Sequence, residues 1–386
     1  MTGLERTAPA APVGEAEIRA ALDGRGLPTA AYRSTAVFEW EQEHLLGGTW
    51  FCVGRASELG PEERSGVEAG TEGILLTRDH AGVPRAFHNT CRHRGHELVE
   101  PGGRARGSVV RCPYHAWAYG LDGRLVAAPH FGAVPGFDRA AHSLHPVRVA
   151  EWEGWTFVDL AGNAPELPDH VGDLAGEVAP YGIAGLAAAA TCEYVVAANW
   201  KLVVENYHEC YHCPTVHPEL CRVSPPDSGA NFRPAGAWAG GTMLLREGAV
   251  TMSLDGRSGG LPLPGLDEPR RRQVLYVGLF PNLLISAHPD YVLTHRLHPV
   301  DAGHTRIVCD WLFPREVAAA SGFDPSSAVD FWDLTNRQDW RACESVQRGI
   351  ASRRFVPGPL GPGEDAVREH ISLVARAYLT GRPAGR

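Results

Sequence analysis

The sequence predicts an α+β protein in which an all-β unit precedes a larger mixed unit, and three observations carry that expectation. First, 44 Gly and 30 Pro supply about a fifth of the 386 residues, above the ordinary share, which favours turns and short strands over a helical bundle. Second, between residues 51 and 160 short apolar runs such as 73–78 and 155–160 are broken by Gly, Pro and Asp, the texture of a compact β domain with long loops. Third, from residue 191 onward strand-like runs return at 194–198, 272–280, 283–287, 292–297 and 305–313. They are joined by helical periodicity at 200–211, 327–346 and 364–379, where Val367, Ile371, Val374 and Tyr378 recur on one face. The expected organisation is an N-terminal arm and helix over 1–48, a β domain over 49–161 and a mixed domain over 162–386. Residues 1–30 read as a loosely held arm, 161–190 as a connection and the Gly/Ser/Pro-rich 248–264 as a mobile loop or lid.

Charge and composition narrow the function classes. With 45 acidic against 36 basic side chains the net charge is −9, so there is no general attraction to a phosphate backbone and nucleic acid is not an expected partner. No run of about 18 apolar residues is present, and residues 1–14 lack an apolar core behind a basic head. A cytoplasmic protein without a membrane partner is expected, with its nine cysteines reduced. Unpaired cysteines in that setting direct attention to metal ligation.

Two half-motifs answer it: Cys91-Arg-His93-Arg-Gly-His96, and Cys112-Pro-Tyr-His115-Ala-Trp117. Each brings one thiolate and one imidazole on a tight turn, so a binuclear centre can take both sulfurs on one iron and both imidazoles on the other, the Rieske form of a [2Fe–2S] cluster. The same four residue types could hold zinc, although a zinc site usually keeps a cysteine pair apart from a histidine pair. Over residues 87–125 the chain resembles the Rieske domains of bacterial ring-hydroxylating and related oxygenases. Respiratory Rieske subunits carry an extra cysteine in each loop, and here those places are His96 and Tyr114. The resemblance implies a [2Fe–2S] cluster on Cys91, His93, Cys112 and His115, fed by a soluble reductant.

The second constellation lies in residues 199–218, which contain Asn206, Glu209, His212, Pro214 and His217. Two histidines and one carboxylate on one face of an iron leave positions open for O₂ and substrate. Five residues apart on a straight helix, His212 and His217 diverge by about 140°. Pro214 between them is expected to end the helix and swing His217 back. This stretch resembles the mononuclear iron motif of the Rieske oxygenases, and the resemblance runs from about residue 50 to 349. It implies that His212 and His217 bind Fe(II) and that the helix of residues 331–349 supplies the third ligand, Asp339, with Asp333 as the alternative. It also implies a second domain of the helix-grip kind, with a curved antiparallel sheet packed by helices around the iron. Glu209, three residues before His212 and so expected on the same helical face, would hydrogen-bond both His212 and the partner subunit's His115. Asn206 joins it as a candidate catalytic residue. Most of the family has Asp where Glu209 stands, and Glu matches the branch of carnitine and betaine demethylases. Cys210 and Cys213 form a Cys-x-x-Cys read as buried packing.

The implied function is an oxygenase component, a monooxygenase before a dioxygenase, in a ring that is most often a trimer. No Gly-x-Gly-x-x-Gly follows a strand, so electrons are expected from a separate NAD(P)H-dependent reductase or ferredoxin. Trp238, Tyr276, Phe280, Tyr291, Trp311 and Phe313 are candidates for an aromatic cage around a cationic nitrogen. The expected reaction is N-demethylation of a betaine-type quaternary ammonium compound. Hydroxylation of an aromatic or natural-product skeleton is the alternative.

Overall fold

The computed structural model describes residues 9–257 and 260–381, which divide into two compact units, one of residues 46–164 and one of the described residues before 46 and after 164. The first unit carries ten strands: β1 (Phe51–Arg55), β2 (Glu63–Ala69), β3 (Glu72–Arg78), β4 (Pro84–His88), β5 (Arg104–Arg106), β6 (Val109–Arg111), β7 (Ala118–Gly120), β8 (Leu125–Ala127), β9 (Pro146–Trp152) and β10 (Trp155–Asp159). Seven of them form one antiparallel sheet in the order β1-β10-β9-β4-β3-β2-β5, and β6-β7-β8 form a small second sheet. Two loops, after β4 and after β6, carry the Cys/His half-motifs. Beneath them Leu75, Phe87, Cys91, Cys112, Trp117 and Tyr119 pack into one apolar cluster, so the loops rest on a rigid base.

The second unit is built on a seven-stranded antiparallel sheet. Its strands are β11 (Leu186–Val196), β12 (Ala230–Asn231), β13 (Trp238–Leu244), β14 (Gln273–Leu279), β15 (Leu283–Ala287), β16 (Val292–Asp301) and β17 (His304–Pro314), in the order β11-β17-β16-β15-β14-β13-β12. Register shifts at Ala188/Ala190 and Pro299/Asp301 are bulges, which bend a sheet. The long helix Ser326–Gly349 buries Ala328, Phe331, Trp332, Thr335, Asn336 and Cys343, the i, i+3, i+4 stripe of a helix with one face on a core. The helix Asp365–Thr380 is buried along most of its length and closes the unit. The fold class is α+β.

Several expectations need correcting. The stretch after residue 8 is no loose arm: Glu15–Leu22 is a helix whose Ile18 and Ala21 are buried. The connection 161–190 already contains the helices Leu167–Val171 and Leu174–Val178, and its alanine run begins β11. Ser258 and Gly259 of the expected lid lie outside the described residues. Elsewhere in that loop Thr251, Met252, Ser253 and Leu263 are buried, with Tyr291 donating to the Met252 carbonyl at 2.6 Å, while Leu254 and Leu261 are exposed. Among the described residues no helix is long and apolar enough to cross a membrane.

Candidate active site

The cluster loops are two copies of one turn. The Cys91 amide donates to the His96 carbonyl and the Gly95 amide back to Cys91; Cys112 pairs with Trp117 and Ala116 with Cys112 in the same pattern. Position i+4 has a positive φ in both, 73° at Gly95 and 58° at Ala116. An alanine held there is strained, and such strain gathers at ligand-holding turns. The turns bring the His93 and His115 rings to 4.7 Å and place Cys91 and Cys112 close enough to share a hydrogen bond. Trp117 stacks on His93 at 4.9 Å. Burial pushes the Cys91 thiol up, a cost that thiolate ligation to a cation removes. The His93 Nδ1 is buried with no hydrogen-bond partner among the described residues. Two adjacent thiols beside two adjacent imidazoles fit a [2Fe–2S] group of the Rieske kind. The Tyr119 hydroxyl accepts from the Arg92 amide at 2.9 Å and lies 3.4 Å from the Cys91 sulfur, so its proton is free to point at that sulfur.

In the other unit the helix Trp200–Tyr207 is shorter than expected and leaves Glu209 and His212 on a loop rather than on a shared helical face. Pro214 does not end that helix. It sits in the first turn of a new one, Cys213–Val216, for which His212 and His217 are the two flanking residues. A single turn between them, not a kinked long helix, brings the two imidazoles to the same place. Cys210 and Cys213 are joined as a disulfide across this loop, with Cα atoms 4.9 Å apart, so these two cysteines are not the reduced packing residues expected.

His212 Nε2 and His217 Nε2 stand 3.1 Å apart, and Asp339 Oδ1 lies 3.2 and 2.8 Å from them. Asp333 points elsewhere, accepting from Tyr194 at 2.7 Å and from Arg337 at 2.8 Å. The far nitrogens of both rings are occupied: His212 Nδ1 meets Glu209 Oε1 at 2.5 Å, and His217 Nδ1 meets Gln338 Oε1 at 2.7 Å. Since a carboxylate and an amide oxygen only accept, both Nδ1 atoms carry hydrogens, which leaves both Nε2 atoms to ligate a metal once it displaces the protons they share with Asp339. That donor set fits a divalent metal, with the supporting acceptors that metal-binding histidines usually have. Burial pulls His212 down, yet hydrogen bonds to Asp339 and Glu209 push it up to about 9. Burial likewise works to raise the Asp339 carboxyl, but its bonds to the two histidines hold it below the ordinary carboxylate range. The other Glu209 oxygen accepts the Tyr211 and His212 amides, and the Asn206 amide reaches His212 Nε2 only at 3.5 Å. Gln338 carries no signal in the sequence beyond its place next to Asp339.

The triad lies in the wall of a cavity of about 430 Å³. One stripe of the long helix, Trp332, Thr335, Asn336 and Asp339, faces it together with Trp340. Tyr207, Tyr276, Leu284 and His295 line it as well. Of the six cage candidates only Tyr276 is there. Trp238 is turned to Asp173, its indole bonded at 2.8 Å. Phe280, Tyr291, Trp311 and Phe313 are buried in the core, and the cavity instead takes Tyr207, Trp332 and Trp340. Burial holds His208 at about 3 and His295 at about 4, so both are uncharged near neutral pH.

Comparison with known proteins places both units. Residues 49–138 match the Rieske [2Fe–2S] domain, and residues 183–380 match the catalytic domain of the ring-hydroxylating alpha subunit. A carnitine monooxygenase oxygenase subunit of Acinetobacter pittii is 39% identical over 363 residues, covering 91% of this chain and 92% of that one. A glycine betaine monooxygenase oxygenase subunit of Chromohalobacter salexigens is 34% identical over 367 residues, covering 86% and 81%. The crystal structure of a quaternary ammonium Rieske monooxygenase with L-carnitine superposes with a TM-score of 0.79 at 28% identity, covering 95% of this chain and 99% of that one.

Proposed function

This chain belongs to the Rieske ring-hydroxylating oxygenase alpha subunits, and on that premise we propose that it N-demethylates a betaine-type quaternary ammonium compound. The convergence of His212, His217 and Asp339 in the wall of an aromatic-lined cavity is the observation that supports this most. His212, His217 and Asp339 would hold Fe(II), and Cys91, His93, Cys112 and His115 a [2Fe–2S] cluster; together these groups supply reductive activation of O₂. Tyr207 and Trp340 offer π-faces to a cationic nitrogen and exclude water around it. Glu209 fixes the tautomer of His212 and is our candidate for the acidic bridge to a cluster histidine of a neighbouring copy. Asn206 lines the same wall.

The net chemistry adds one oxygen atom to an N-methyl carbon. O₂, two electrons and two protons give the carbinolamine and water. The carbinolamine then breaks its C–N bond, releasing formaldehyde, a proton and the tertiary amine. The electrons come from a separate reductase. The test is formaldehyde release coupled to O₂ uptake, with iron-loaded protein, a surrogate reductase and a panel of betaines, choline and aromatic acids. Formaldehyde in step with O₂ from a quaternary ammonium compound supports the reading. A hydroxylated aromatic without formaldehyde refutes it while leaving the oxygenase assignment intact.

A further inference from the structure

We propose that Tyr276 holds the acidic end of the substrate, its hydroxyl donating a hydrogen bond to the carboxylate of a betaine whose carboxylate lies several carbons from the methylated nitrogen. This rests on the quaternary ammonium reading above and adds the group that selects among such compounds.

Tyr276 stands on β14, opposite Gly241 of β13 and Ser286 of β15, and is part of the cavity wall. Gly241 places no side chain beside the ring, which leaves the ring in the cavity wall. Its hydroxyl oxygen is buried and has no hydrogen-bond partner among the described residues. A buried hydroxyl without an acceptor is costly, so the position makes sense when the cavity's occupant supplies one. Tyr207, Trp332 and His288 stand around the ring at 6.1, 6.3 and 6.4 Å by centroid, and none of them hydrogen-bonds the hydroxyl. Burial drives the phenol pKa well up, so the group stays a donor.

The electrostatics of the wall identify the acceptor's end of the substrate. At the triad Glu209 and Asp339 offset the charge of the divalent metal the site would hold, and the rings of Tyr207 and Trp340 supply faces for the cationic nitrogen. Among the described residues no lysine or arginine lines the cavity, so a carboxylate there must take neutral donors. Tyr276 is such a donor, and its ring neighbours Trp332 rather than a member of the triad. Trp332, whose ring it faces, precedes Asp339 by two helical turns, about 10 Å along the axis. A compound with its N-methyl group at the triad and its carboxylate at Tyr276 is therefore carnitine-like in length, longer than glycine betaine.

The experiment uses the iron-loaded protein with its cluster and a reductase, comparing wild type with Tyr276→Phe on carnitine, glycine betaine and choline. Phe keeps the ring and removes only the hydroxyl, and cluster absorbance reports folding. Binding is read separately by tryptophan fluorescence, since Trp332 and Trp340 line the cavity. The KM and binding constant for carnitine are expected to rise about 10- to 100-fold, the weight of one hydrogen bond to a charged acceptor, with those for choline unchanged. An equal loss for choline and carnitine would make Tyr276 a π-face only and overturn the proposal, as would no change for either. A wild type that binds none of the three compounds refutes the quaternary ammonium reading and this proposal with it. Wild-type binding with an unaltered variant refutes the role of Tyr276 alone.

Discussion

Gln338 provides the sharpest test of how the metal triad is held. Its Oε1 accepts the Nδ1 hydrogen of His217 at 2.7 Å, and its own amide reaches Glu219 at 3.3 Å. His217 is 1% exposed, so water cannot replace that acceptor. Gln338→Leu keeps similar volume and leaves the imidazole hydrogen unpaired. Two routes give the cost. An unsatisfied buried donor is worth about 1–3 kcal/mol. Loss of a group that supports a metal-bound histidine weakens metal affinity by about 10- to 100-fold, or about 1.4–2.7 kcal/mol. The assay is anaerobic competition for Fe(II) against a chromogenic chelator, with Gln338→Glu as the variant that retains an acceptor. Gln338→Leu is expected to bind iron 10- to 100-fold more weakly, and Gln338→Glu to bind at least as tightly as wild type. Unchanged affinity in a folded Leu variant, or a Glu variant as weak as Leu, would refute the reasoning.

Three further outcomes are expected. Tyr119→Phe removes the hydroxyl 3.4 Å from the Cys91 sulfur and should lower the cluster's reduction potential by on the order of 50 mV, measured by redox titration; an unchanged potential would show that the hydroxyl does not donate to sulfur. Lys201 and Glu41 pair at 2.7 Å with both side chains 0% exposed, so Lys201→Met should cost about 3–5 kcal/mol in urea unfolding because Glu41 is left buried without its counter-charge, held only by hydrogen bonds from Trp200 and Tyr378; a loss below about 1 kcal/mol would contradict this. Burial raises Glu205 to about 7 from 4.5, against the hydrogen bond from Tyr32. Its folded pKa lies above the unfolded value, so its contribution is full below pH 4.5 and is lost as pH climbs through 7. Stability should therefore fall between about pH 5 and 8 by up to about 3 kcal/mol more in wild type than in Glu205→Gln, and parallel pH profiles would refute it.

How much of this could be read in the sequence depends on whether the information is local. Cys91, His93, Cys112 and His115 were legible because each half of the site is one tight turn, and His212 with His217 because one short turn separates them. Asp339 was legible only through family resemblance, since nothing in its helix separates it from Asp333; the fold does so by giving Asp333 to Tyr194 and Arg337. The end of the helix at Tyr207 was misread because the apolar pattern of 200–207 runs on into polar residues that still permit a helix. The aromatic lining was misread for a different reason. Strand alternation tells which residues share a face, but not which part of that face a helix covers. Tyr276 and Trp311 lie in the same cross-strand row through Ser286 and Leu293, yet Trp311 is fully buried while Tyr276 meets the cavity. Trp332 and Trp340 were passed over because helical aromatics read as core. Gln338 could not be found at all, because a glutamine becomes a supporting acceptor only when a ring from residue 217 is folded against it.

The most direct test of the two-centre account is iron and acid-labile sulfide analysis of anaerobically reconstituted protein, wild type beside Asp339→Ala and Cys91→Ser. The expected wild-type content is about three irons and two sulfides per chain, a binuclear cluster plus one further iron. Asp339→Ala should lose about one iron and keep both sulfides and the cluster's colour, while Cys91→Ser should lose sulfide and colour. Zinc without sulfide in the wild type, or an Asp339→Ala protein that keeps its full iron, would contradict the account.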